Sequence, residues 1–108
     1  MNNQLQLDRS FLAFSHPVRR AIVERLTQGP ATVGEASVGL AVSKPAVTKH
    51  LKLLEEAGVV TRTIRGREHI LRLEPAAFRN ASDWLELHRE LWERKFAVIE
   101  QHLDKEDG

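Results

Sequence analysis

The sequence predicts a mainly α-helical domain of about five helices with one small β-hairpin. Three observations predict it. Apolar residues return at three- and four-residue intervals through most of the chain. The exception is a run of β-formers between Val60 and Leu73, broken at Arg65-Gly66-Arg67-Glu68. A length of 108 residues, 42% hydrophobic and 29% charged, suits one folded domain spanning residues 1–108.

Leu7, Phe11 and Phe14 recur at helical spacing beside Leu12, which gives a first helix from about residue 5 to residue 14. Ser15-His16-Pro17 ends it and opens the next, because proline's fixed φ suits a first helical turn. The second helix carries Val18, Ala21, Ile22, Arg25 and Leu26 and stops at Gly29-Pro30. Thr32-Val33-Gly34-Glu35 fits a capping box, which starts a short third helix reaching Val38 or Leu40. Ser43 caps the fourth, with Pro45 tolerated in its first turn. Val47, Leu51 and Leu54 form its buried stripe, and Gly58 ends it. A short helix, a tight turn and a helix with a polar outer face make a helix-turn-helix.

Val60–Ile64 and His69–Leu73 then read as two strands around the turn at residues 65–68, a wing beside the helix-turn-helix. Pro75 opens a last helix to about Leu103. On it Trp84, Leu85, Leu87, Leu91, Trp92, Phe96, Val98, Ile99 and Leu103 cover roughly half the circumference at about 100° per residue. That arc is wider than packing on one small domain requires, and the excess calls for a partner.

The net charge is only +1, but it is unevenly spread. From Ser43 to Leu73 seven cations face three anions, a net of +4; from Glu74 onward nine acids face five bases, a net of −4. A basic middle beside an acidic end separates a polyanion-binding surface from one of another kind. With no cysteine, disulfides and thiolate metal sites are excluded. No secretion signal or membrane-length apolar run is visible, so a cytoplasmic protein without membrane contact is expected. The serines lack a nucleophile–base setting and there is no glycine-rich phosphate loop, so no enzyme is expected.

The stretches His16-Pro17-Val18-Arg19-Arg20-Ala21-Ile22, Val33-Gly34-Glu35 and Ser43 through Val60 resemble the ArsR family of winged-helix transcriptional repressors. The resemblance extends over about Leu7 to Leu103. It implies a homodimer built from the first and last helices, about residues 5–14 and 75–103. Leu7, Phe11, Phe14, Trp84, Leu91, Trp92, Val98 and Ile99 would lie in that interface. It further implies a palindromic operator in double-stranded DNA, repressed until an effector, unidentified here, releases the protein. The sequence departs from the family's metal sensors. Glu35-Ala36-Ser37-Val38-Gly39-Leu40 lacks their cysteine pair, and Asp83-Trp84-Leu85 lacks the histidine of their last-helix site. It looks like the non-metal branch, with no metal and no cofactor expected. Ala41 replaces a common turn glycine, and His16 stands where a capping aspartate is usual.

On the recognition helix Ser43, Lys44, Pro45, Thr48, Lys49, His50 and Lys52 are the candidates for DNA contact. Lysine donates to guanine or phosphate, and a threonine methyl packs on a thymine methyl. The plainer alternative is an ordinary solvated helix face; His50, between faces, could reach the groove or simply pack. Arg62, Arg65, Gly66 and Arg67 are the wing candidates, for phosphate or minor-groove contact, with Arg62 and Arg72 farther out as supporting charge. Arg19 and Arg20 read as structural, and a helix N-terminus is a poor place for cations, so a partner should hold at least one. His88, Lys95 and His102, seven apart, read as a polar seam or as snorkelling side chains. Two rival functions remain: a metal- or ligand-responsive sensor with its effector at that seam, and a winged helix used only for protein interaction.

Overall fold

The structure is a computed structural model that describes residues 3–107, with side chains from Gln4 to Leu103. Its elements run α1 (Asn3–Ala13), α2 (Pro17–Leu26), β1 (Ala31–Thr32), α3 (Val33–Ala36), α4 (Lys44–Glu56), β2 (Val60–Arg65), β3 (Glu68–Leu73) and α5 (Pro75–Asp107). The five helices are those expected from the sequence.

The sheet is a correction. It has three antiparallel strands in the order β1-β3-β2, not two, because Ala31 and Thr32 pair with Leu71 and Ile70. Two residues ahead of a capping box are too short to show alternation. The hairpin turn is also tighter than expected. Arg65 pairs with Glu68, and only Gly66-Arg67 remain in the loop. Gly66 sits at φ 61 as the first central residue and Arg67 has no positive φ, the pattern of a type II′ hairpin.

α3 is shorter than Val38 or Leu40. Ser37 Oγ donates to the carbonyls of Val33 and Gly34, at 2.8 and 3.1 Å, and Gly39 turns to φ 81. A local side-chain bond of this kind competes with the next helical bond and lets the chain unwind. The capping box itself is present: Thr32 Oγ1 accepts from the Glu35 amide, and a Glu35 carboxylate oxygen accepts from the Thr32 amide.

α4 follows its expected pattern, with Val47, Leu51 and Leu54 buried. At its end the Gly58 amide donates to Glu55 O and the Val59 amide to Leu54 O, both at 3.0 Å, with Gly58 at φ 72. This is a Schellman closure, and Leu54 and Val59, which it brings together, are both fully buried. They join Ile22, Leu51 and Leu71 at the centre of the core.

α1 differs from expectation in its packing face. Its fully buried positions are the small residues Ser10 and Ala13, while Leu7, Phe11 and Phe14 are half-buried. The Ser10 hydroxyl is satisfied by Gln6 O at 3.1 Å. Small side chains let α1 lie close to α4 and α5, both of which it contacts.

α5 uses only its first two turns on this core, through Ala77, Phe78 and Ala81. Beyond them it projects, which stretches the molecule to 69 Å. Trp84, Leu85, Leu87, Leu91, Trp92, Phe96, Val98, Ile99 and Leu103 all stand 38–58% exposed.

We predict that Leu54→Ala lowers unfolding stability by about 2–5 kcal/mol in a urea titration, because the closed core around it leaves a cavity. A loss under 1 kcal/mol would mean that the α4–sheet packing is wrong.

Candidate nucleic-acid interface

Ser43 Oγ accepts from the Ala46 amide at 3.3 Å and satisfies one of the orphan donors at the start of α4. Lys44 and Pro45 fill the first turn, where proline's missing N–H costs nothing. With Val47, Leu51 and Leu54 facing the core, Lys44, Pro45, Thr48, Lys49 and Lys52 all lie exposed. The Thr48 hydroxyl donates to Lys44 O at 3.1 Å, so what remains for a partner is its methyl group and an oxygen lone pair. At the tip of the wing Arg65, Gly66 and Arg67 are exposed too.

Lys44, Lys49, Lys52, Arg65 and Arg67 have no carboxylate within ion-pairing distance among the described residues, since the pairs there use Arg25, Arg62 and Arg89. Five uncompensated cations on one helix and one hairpin are a surface for a polyanion.

Two candidates belong elsewhere. Arg62 Nη2 donates to Glu55 Oε1 and Nη1 to His69 Nδ1 at 3.0 Å. Its charge is neutralised, and it ties the base of the wing to the C-terminal half of α4. Glu55, half-buried on α4, is its partner.

His50 packs rather than pointing free. Its Nδ1 meets Arg19 Nη1 at 3.0 Å, and its ring lies 4.4 Å from that of His16. Burial first, then electrostatic repulsion from the His16 and Arg19 side chains, holds its pKa below the ordinary histidine value. His16 replaces the usual capping aspartate directly: its Nδ1 accepts from the Val18 amide at 3.1 Å.

Arg19 has the partners its position demanded. It is 5% exposed and donates to Leu12 O, Ala13 O and Ser15 Oγ at 2.8, 3.1 and 3.0 Å. Arg20 reaches Phe14 O at 2.8 Å. Both cations thus sit at the C-terminal end of α1, where the dipole favours them. The sequence showed the need for partners but not which ones, because the bond to His50 spans 31 residues.

The expected self-association surface is only partly free. Phe14 lies against Phe78, ring centroids 5.4 Å apart, and is half-buried on the core, so it belongs to the fold first. Phe11 meets Trp84 edge-on at 5.3 Å. Together with Val23, Leu85 and Trp92 they line an open apolar groove of about 810 Å³ between α1, α2 and α5. Leu91, Val98 and Ile99 lie exposed farther along α5, and Leu7 is half-buried on α1. Two of the three seam residues are held within the helix: His88 Nδ1 bonds Trp84 O at 2.8 Å, and Lys95 lies over Trp92 at 5.5 Å. Among the described residues no three histidines or carboxylates gather as metal ligands. No helix there is long and apolar enough to cross a membrane.

A model of a helix-turn-helix domain matches residues 14–63. Over 102 residues the chain is 39% identical to the HTH-type transcriptional regulator Rv2034 of Mycobacterium tuberculosis, which covers 92% of this chain and 90% of that protein. It is 28% identical over 79 residues to the transcriptional repressor SdpR of Bacillus subtilis, covering 73% and 88%. Among solved structures, an ArsR family transcriptional regulator superposes with a TM-score of 0.76 at 36% identity, over 82% of this chain and 91% of that one.

We predict that Ser43→Ala destabilises the protein by about 1 kcal/mol in chemical unfolding and that Ser43→Asn restores most of the loss. Equal stability of all three would mean that the cap contributes nothing.

Proposed function

The chain belongs to the ArsR family of winged-helix transcriptional regulators, and we propose on that premise that it acts as a homodimeric repressor on a palindromic operator. The observation that carries the reading is the set of five uncompensated cations on α4 and the wing tip. Lys44, Thr48 and Lys49 enter the major groove, with Ser43 and Pro45 close to the backbone. Lys52 grips phosphate, and Arg65 and Arg67 of the wing take flanking phosphate or minor groove. Arg62 and His50 act behind this surface through Glu55 and Arg19.

The dimer follows from α5. Its projecting half leaves two tryptophans and a leucine–isoleucine–valine arc in solvent, a surface that a second copy covers. Two recognition helices then meet successive major-groove faces about 34–36 Å apart, which requires a two-fold site. The name of the SdpR relative supports repression as the outcome. The protein binds and does not catalyse, and it acts in the cytoplasm. A winged helix used only for protein contact would have no need of unpaired lysines on the helix and arginines on the wing.

Selection of bound duplexes from a random DNA pool tests the proposal; an enriched inverted repeat is expected, and no enrichment would refute it. On that duplex we predict that Lys49→Ala or Thr48→Ala relaxes sequence preference and weakens specific binding by roughly 1–3 kcal/mol. Arg67→Ala should weaken all sequences alike and lower the salt slope by about one. Trp92→Glu should shift sedimentation to the monomer and abolish binding to the full palindrome.

A further inference from the structure

The groups around Arg19 form a cluster that DNA contact does not absorb. A guanidinium has only donors, so His50 Nδ1 must accept from Arg19, and a backbone amide only donates, so His16 Nδ1 must accept from Val18. Both imidazoles are therefore fixed with a bare Nδ1 and, when neutral, the proton on Nε2. The rings also face one another at 4.4 Å. Through them the last turn of α1, the first turn of α2 and the middle of α4 meet at one buried cation.

We propose that Arg19, His16 and His50 are positioning residues that bolt the recognition helix to the α1–α2 corner, and that uptake of a proton on either bare Nδ1 releases the bolt and weakens operator binding. The proposal rests on the DNA-binding reading above for its last clause only.

Protonation of His16 removes the acceptor that caps α2, and protonation of His50 removes the acceptor that holds Arg19. The groups that face His50 from the neighbouring elements are His16 and Arg19 of the α2 segment, with the neutral Ser15 hydroxyl and the Leu12 and Ala13 carbonyls behind them. On α4 itself its charged neighbours in sequence are Lys49 and Lys52. The standing charges among these, Arg19, Lys49 and Lys52, are all positive, and a proton on His16 would add another. No carboxylate within ion-pairing distance balances them among the described residues. The lowered pKa of His50 agrees in sign. The folded chain binds fewer protons than the unfolded one, so the stability is complete above the ordinary histidine value and is lost as pH falls through it toward the lowered one.

The test uses the full chain, with a double variant His16→Asp, His50→Gln that keeps an oxygen acceptor at each position and titrates at neither in this range. Wild-type affinity for the selected duplex, at fixed salt, should fall about tenfold between about pH 7.5 and about pH 5.5, a change of about 1.4 kcal/mol. The double variant should stay within about twofold, and a His102→Gln control should keep the wild-type profile. Nitrogen-detected imidazole spectra should show Nε2–H tautomers for His16 and His50. The melting midpoint should drop with acid in wild type and not in the double variant. Affinity that is flat or rises on acidification, as an imidazolium resting on phosphate would give, overturns the proposal, as does a double variant that follows the wild type. If no duplex is selected the DNA reading fails by itself, while an Nδ1–H tautomer at either residue or an acid-insensitive melting point still refutes the bolt.

Discussion

Arg19 carries a full positive charge, lies almost wholly out of solvent and meets no carboxylate among the described residues. A buried ion left unpaired costs several kcal/mol, so the chain around it has to supply acceptors. It does so with backbone carbonyls from the end of α1, a serine hydroxyl and an imidazole. That requirement fixes where α1 stops, how sharply the chain turns at residues 14–16 and how α4 lies over the corner. The hydrophobic stripe of α4 keeps the helix on the domain. The guanidinium sets its place relative to the first helix, which also carries part of the expected self-association surface.

Much of the fold was legible because helices announce themselves locally. Ser43, Pro45, the Val47-Leu51-Leu54 stripe and Gly58 are start, period and stop within one short stretch, and the structure uses each in that role. The capping box at Thr32 and Glu35 is equally local. What was not legible depends on residues far apart. β1 exists only because β3 lies beside it. Arg62 reads from sequence as a wing cation or supporting charge, and only Glu55 and His69 show what it supports; His50 reads as a groove residue or a packed one, and only Arg19 decides for packing. Periodicity reports which face of a helix is apolar; it does not report which polar side chains find one another across the domain. The departure at His16 was visible in the sequence, yet its capping role was not, since an imidazole acceptor leaves no motif.

The charge asymmetry takes on a different character in three dimensions. The basic middle keeps its cations unpaired on α4 and the wing tip. Part of the acidic end is spent within its own helix. Arg89 is gripped by Glu86 and Glu93 one helical turn to either side, which holds its pKa up and that of Glu86 down. Such pairs support the part of α5 that projects beyond its packing on the domain. They occupy the polar side of a segment whose other side is an apolar arc. Glu86 and Glu93 thus act first as supports of an exposed helix.

The placement of the two tryptophans has a practical consequence. The chain has Trp84 and Trp92 and no tyrosine, and both indoles stand on α5 beyond its buried first turns, Trp92 on the projecting part and Trp84 with its ring edge against Phe11 of α1. Near-ultraviolet emission from this protein therefore originates on one open face. Its colour responds to whatever covers that face, whereas the interior around Leu51 and Leu71 is optically silent. A spectrum that shifts to the blue on concentrating the protein reports contact along α5, whereas melting of the domain frees Trp84 from Phe11 and moves the spectrum to the red. Assembly and folding, which calorimetry would merge, are separable here by light alone.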